Sequence, residues 1–107
     1  MNINRIQLLE NYIKEEPENP FNYYALAMEY YEKEPPKAID ILSTLIKKQP
    51  EYLPSYYKLA HLYWDEESWD KAETVFIKGI ELATKQEDLK AEKELKNAYS
   101  NFQFEID

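Results

Sequence analysis

Apolar and polar residues follow each other along this chain with the period of an α-helix, and one such pattern occurs twice. Within each copy the apolar positions fall at i, i+3, i+4 and i+7, which is one face of a helix. The matched positions, 33 residues apart, are Tyr23, Leu26, Ala27 and Tyr30 in the first copy and Tyr56, Leu59, Ala60 and Tyr63 in the second. A second match pairs Ala38 and Leu42 with Ala72 and Phe76. A repeat of this length is typical of stacked helical hairpins, each too small to bury its own apolar face.

Prolines and helix-capping residues divide the chain into six predicted helices within a single domain over residues 1–107. Asn19 and Pro20 suit the cap and the first position of a helix, and Pro50 suits the end of one. The predicted organisation is an N-terminal helix over residues 3–15, a first repeat over 20–50, a second repeat over 53–85 and a C-terminal capping helix over 88–104. Because the links are short, neighbouring helices should pack as antiparallel hairpins. The presence of only one glycine, Gly79, also favours an all-α fold.

These residues resemble the tetratricopeptide repeat (TPR). Its first helix carries an aromatic residue, then Leu-Gly, then Tyr, and its second helix carries Ala, a large residue four positions later, and Pro. The first copy matches as far as Pro50, whereas the second has Thr84 where the proline is expected. The resemblance covers roughly residues 19–85 and implies an α-solenoid, or α-α superhelix, of two hairpins flanked by an N-terminal and a C-terminal capping helix. The whole chain also resembles short bacterial TPR proteins of unknown function.

A second, mostly aromatic stripe runs along the first helix of each repeat, rotated by about 100° from the packing face. It contains Phe21, Tyr24, Met28 and Tyr31 in the first copy and Tyr57, His61 and Trp64 in the second. Lys58, at a neighbouring inward position, completes the predicted groove. In a TPR stack this face lines the concave groove, so the resemblance implies a surface for an extended peptide or a partner helix. The alternative is that the chain's own terminal helices cover much of the stripe. We expect non-catalytic binding of a protein or peptide partner whose identity the sequence does not name.

Charge narrows the class of partner. The formal net charge is −8, from 13 Lys and Arg against 21 Asp and Glu, and a field of this sign repels nucleic acid and anionic lipid. It favours solubility, and we interpret it first as the charge of solvated helix faces. The alternative is attraction of a partner with basic residues. Residues 1–20 contain no long apolar run, so we expect neither a signal peptide nor a membrane span, and a cytoplasmic location by default.

The residue types that carry most enzyme chemistry are scarce. His61 is the only histidine and cysteine is absent, so the sequence predicts no metal site, and one glycine cannot build a phosphate-binding loop. We therefore expect no catalytic residue and no cofactor. Two alternatives stay open. One is a small-ligand or metal-binding protein that uses a pocket around His61, Tyr24 and Tyr57. The other is a self-assembling structural module. For the tail over residues 100–107 we expect a frayed helix end, and the alternative is that it enters a neighbour's groove and forms a homo-oligomer.

Overall fold

The computed structural model describes residues 1–106, and these residues form six α-helices and no strand. The helices are α1 (Ile3–Glu15), α2 (Pro20–Tyr30), α3 (Pro35–Lys48), α4 (Pro54–Asp65), α5 (Trp69–Lys85) and α6 (Leu89–Ile106). The predicted all-α architecture is confirmed. Residue 107, which ends both the predicted domain and the predicted tail, lies outside the described residues.

Short polar side chains begin several of these helices. The side-chain oxygens of Asn2, Asn19 and Asp88 each accept a hydrogen bond of 3.0 Å from a backbone N–H two or three residues later. Each bond satisfies one of the N–H groups that an α-helix leaves without an internal partner. At α2, Pro20 follows the cap and occupies the first helical position, where a missing N–H costs nothing.

Two helices end in a residue with left-handed backbone geometry that is not glycine. Glu67 follows α4 with φ 64°, and Glu87 follows α5 with φ 57°. After α4, the N–H of Ser68 donates to the carbonyl of Tyr63 at 2.9 Å, which closes the turn that commonly terminates helices. A side chain in this conformation is strained where glycine would not be.

The helices group into two compact units, the first over Met1–Ser55. In this unit α1 packs against α2, and α2 packs against α3. The seam between α2 and α3 is built around Ala27 and Ala38, which are both fully buried. Their small side chains allow the helices to approach closely, as the repeat pattern predicts. A polar contact also ties α1 to α2, since the guanidinium of Arg5 lies 3.3 Å from the Glu29 carboxylate.

The second unit begins at Tyr56 and contains most of α4 together with α5 and α6. Its core is a cluster of rings around Phe76 of α5 and Phe102 of α6, both fully buried with centroids 5.4 Å apart. The ring of Trp64 on α4 approaches Phe102 at 5.4 Å and Phe76 at 6.3 Å, so rings from all three helices meet there. The predicted flanking role of the last helix is confirmed, since α6 packs on α5 and buries Leu95, Ala98 and Phe102.

Gly79 lies where α5 closely approaches both α4 and α6. A Cβ atom built on Gly79 would lie 2.9 Å from the Cβ of Tyr56 and 3.3 Å from both δ carbons of Leu95. Any other residue would therefore push α5 away from its neighbours. The sequence pattern had marked Ala60 and Ala72 as the small residues of this repeat, and it did not single out Gly79 for this role.

Candidate functional site

The aromatic stripe on α2 is partly open to solvent. Phe21 is exposed, with 58% of its surface accessible, while Tyr24, Met28 and Tyr31 are half-buried. The ring of Tyr24 meets the edge of Tyr52 at a centroid distance of 6.1 Å. Burial, and to a smaller degree the neighbouring Tyr52, raises the pKa of the Tyr24 hydroxyl, so this group stays neutral and able to donate a hydrogen bond.

On α4 the corresponding stripe is a continuous row of rings. Tyr57, His61 and Trp64 lie at i, i+4 and i+7, which places them along one side of the helix. The centroids of Tyr57 and His61 are 4.3 Å apart with their planes tilted by 33°, and those of His61 and Trp64 are 5.6 Å apart with a tilt of 38°. All three side chains are half-buried, so the row presents part of its surface to solvent.

A hydrogen bond fixes the orientation of the His61 ring. Its Nδ1 atom lies 2.8 Å from the backbone carbonyl oxygen of Tyr57. A carbonyl can only accept, so Nδ1 carries the proton and donates it. In the neutral form of this ring, Nε2 is then a hydrogen-bond acceptor. The edge of the same ring also meets buried Phe76 at 5.7 Å, which anchors His61 to the core.

This row of rings forms one wall of a cavity of about 520 Å³ within the second unit. Asp65, at the end of α4, continues the wall. The opposite wall belongs to α6 and consists of Glu94, Asn97, Ala98, Asn101 and Glu105. The volume falls within the range of ligand pockets in proteins. The cavity therefore combines an aromatic surface from α4 with a polar and acidic surface from α6.

The structure brings three of the predicted site residues, Tyr57, His61 and Trp64, into this one cavity. Lys58 is half-buried on the same helix but does not line it. The α2 residues belong to the first unit and do not line it either. The contribution of α6 was not predicted, because the sequence analysis treated this segment only as a capping helix.

A second cavity, of about 430 Å³, lies within the first unit. Its lining residues are Glu10, Ile13, Lys14, Tyr23, Leu26, Asp40, Ile41 and Thr44. The wall is mainly apolar, and its three charged side chains are of both signs. None of the predicted site residues contributes to it, so it is separate from the aromatic stripe of α2.

Over residues 1–106, no group of three or more His, Cys, Asp or Glu side chains is placed to hold a metal ion. Over the same residues, no helix combines the length and the apolar character needed to span a bilayer.

Several solved structures are similar to this chain, and two of them are tetratricopeptide repeat domain proteins. A solution NMR structure of a tetratricopeptide repeat domain protein from Salinibacter ruber is 32% identical, with a TM-score of 0.76, and the match covers 81% of this chain and 89% of that one. A crystal structure of a tetratricopeptide repeat domain protein from the same organism is 30% identical, with a TM-score of 0.76, and covers 79% of this chain and 97% of that one. No protein-family model and no curated protein matches. The two likenesses confirm the helical-hairpin fold that the repeat pattern predicts.

Proposed function

This chain belongs to the tetratricopeptide repeat family, and we propose that it is a non-catalytic module that binds a peptide or a helix of another protein. Helical repeats of this type typically present surfaces to other proteins. The observation that carries the proposal is the partial exposure of the aromatic stripes on the first helix of each repeat. Half-buried aromatic rings supply large contact areas at low cost in side-chain entropy, which is why they dominate protein interfaces.

The two stripes offer different contacts. On α2, the exposed ring of Phe21 and the flexible side chain of Met28 give an apolar surface that can adapt to its partner. On α4, Tyr57 and His61 add polar groups to their rings. A short surface of this kind suits binding in the micromolar range, or about −8 kcal/mol.

The test removes rings that are at least partly open to solvent and leaves the fully buried core residues unchanged. Phe21→Ala and Tyr57→Ala each delete part of a stripe, while Leu8→Ala and Ile77→Ala delete exposed apolar side chains elsewhere on the same two units. Trp64 is a poor choice, because its ring packs on the core rings. Each variant is immobilised, and the proteins that it retains from a lysate of the native cell are quantified by mass spectrometry.

We expect Phe21→Ala and Tyr57→Ala to lose at least one partner that the wild type, Leu8→Ala and Ile77→Ala retain. Circular dichroism should show the same helix content in all five proteins, so that a loss of binding is not a loss of fold. If the stripe variants and the control variants retain the same proteins in the same amounts, the stripes are not the binding surface.

A further inference from the structure

We infer that the cavity between α4 and α6 receives a basic side chain, above all arginine, from the partner protein. The inference rests on the proposed function, because it specifies the chemistry of the partner at one of the two stripes. Three features of the second unit support it. These are the row of rings on α4, the carboxylates around the cavity, and the rigidity that the core gives to Trp64.

The row of rings provides the binding surface. Aromatic faces carry negative electrostatic potential, so they attract cations, and tryptophan does so most strongly. Arginine suits such a wall better than lysine does, since its flat guanidinium stacks on rings. The chain already makes contacts of this type, with Lys37 Nζ 4.7 Å from the ring centre of Tyr30 and Lys71 Nζ 5.7 Å from that of Tyr63.

Charge determines which kind of side chain this wall should accept. Asp65, Glu94 and Glu105 line the cavity and place carboxylates on both of its sides. Among the described lining residues, His61 is the only one that could carry a positive charge. The protein as a whole carries −8, which adds a long-range attraction for a basic segment. An acidic side chain would instead meet carboxylates of the same sign from both helices.

The carboxylates alone would not be enough. All three are exposed, and an exposed ion pair contributes about 0–1 kcal/mol at most. The rings must therefore supply much of the binding energy, and they are placed to do so. Phe76 and Phe102 meet Trp64 edge-to-face, with interplanar angles of 69° and 83°, so its ring is held in position before any ligand arrives. The side-chain amides of Asn97 and Asn101 provide further hydrogen-bond acceptors for guanidinium N–H groups.

The experiment compares two peptides that differ only in charge. The first is a fluorescein-labelled Gly-Ser-Arg-Gly-Arg-Ser-Gly peptide, and the second carries neutral citrulline, which has nearly the same shape, in place of both arginines. Binding to the full chain is measured by fluorescence anisotropy at low and at physiological salt. We expect the citrulline peptide to bind at least about tenfold more weakly, which corresponds to about 1.4 kcal/mol. Absence of binding by the arginine peptide, or equal binding of both peptides, would overturn the inference.

Matched variants separate the cavity from the general negative field. Glu94→Gln with Glu105→Gln removes two carboxylates from the cavity, and Glu32→Gln with Glu81→Gln removes two exposed carboxylates that do not line it. Both pairs change the net charge by the same amount. We expect about a tenfold loss of affinity for the cavity pair, a similar loss for Tyr57→Ala, and less than about a twofold loss for the control pair. Equal losses for the two pairs would reduce the binding to nonspecific electrostatics and refute a dedicated site.

The two proposals can fail independently. If capture of a natural partner depends on Phe21 but not on Glu94 and Glu105, the module binds protein and the inference about arginine is wrong. If the arginine peptide binds in the cavity but no natural partner depends on either stripe, the cavity is real and the proposed function is wrong.

Discussion

Replacing Phe102 by alanine should remove much of the stability of the second unit. Phe102 is fully buried, and its ring centroid lies 5.4 Å from both Trp64 and Phe76 and 6.2 Å from Tyr99. Deleting a buried phenylalanine costs about 3–5 kcal/mol, through the lost transfer energy and the cavity that it leaves. A domain of this size has only about 5–15 kcal/mol in total. We therefore expect Phe102→Ala to lose between about a fifth and all of that stability.

The chain contains a matched control two residues further along the same helix. Phe104 has 88% of its surface exposed, so Phe104→Ala should change the unfolding free energy by less than about 0.5 kcal/mol. Phe102→Leu keeps an apolar side chain of similar size and should cost about 1–2 kcal/mol. This conservative variant gives a measurable value if the alanine variant does not fold.

Urea unfolding followed by tryptophan fluorescence measures these differences. The protein has two tryptophans, Trp64 and Trp69, and their rings lie 5.4 Å and 6.3 Å from that of Phe102. Their emission therefore reports on the second unit, while circular dichroism reports on helices throughout the chain. With a slope of about 1–3 kcal/mol per molar urea, the midpoint for Phe102→Ala should fall by at least about 1 M. A fall below about 0.5 kcal/mol in free energy, or an equal fall for Phe104→Ala, would show that α6 does not dock through Phe102.

Four smaller perturbations also have definite expected outcomes. Gly79→Ala gains about 1 kcal/mol in helix propensity but forces a Cβ to 2.9 Å from that of Tyr56 at a cost of about 1–3 kcal/mol, so thermal unfolding should show a net loss. Glu67→Gly relieves a left-handed backbone and should raise the unfolding free energy by about 0.5–1 kcal/mol. Ser55 is fully buried, with a hydroxyl that has no hydrogen-bond partner in the described part of the chain, so Ser55→Ala should stabilise the protein by about 1 kcal/mol in urea. Burial raises the pKa of Tyr24 in the folded protein above its ordinary value near 10. The contribution of the neutral hydroxyl to the free energy of unfolding is therefore complete below about pH 10 and is lost as the pH rises through the folded-state pKa. Tyr24→Phe should therefore resist alkaline unfolding better than the wild type, and should remove one late step from the tyrosine absorbance titration.

The buried seam of each hairpin was predictable from the sequence because it depends on helical periodicity alone. Residues at i, i+3, i+4 and i+7 face the same way wherever the helix is placed, and the smallest of them stand where helices cross. The four alanines that the repeat pattern selects, Ala27, Ala38, Ala60 and Ala72, are accordingly all fully buried. Two buried side chains are polar rather than apolar, and they too occupy equivalent positions of the repeat. Asn22 and Ser55 lie 33 residues apart, and both bury a polar atom without a partner in the described residues.

The rest of the candidate site depends on which helices meet, and periodicity does not contain that information. Glu94, Asn97 and Asn101 fall on one face of α6, and by themselves they are typical of a solvated helix surface. They become part of a cavity only because α6 lies opposite the rings of α4. The same holds for Gly79. From the sequence alone, a glycine within a helix only predicts lower helix stability. The structure adds that Tyr56 lies too close for a larger residue to fit.

The packing of α6 creates both the cavity and the core of the second unit. On α4 each cavity ring follows a residue of the repeat's packing face by one position, as Tyr57 follows Tyr56. On α6, Glu94, Asn97 and Asn101 each precede a buried residue by one position, as Asn101 precedes Phe102. Burying the seam therefore brings the rings and the carboxylates to face each other. A ligand that needs both walls binds only the docked state, so at 100 times its dissociation constant it should stabilise that state by about 2.7 kcal/mol. That gain is close to the smallest loss expected from Phe102→Ala, so partner binding and the packing of α6 should be strongly coupled in this protein.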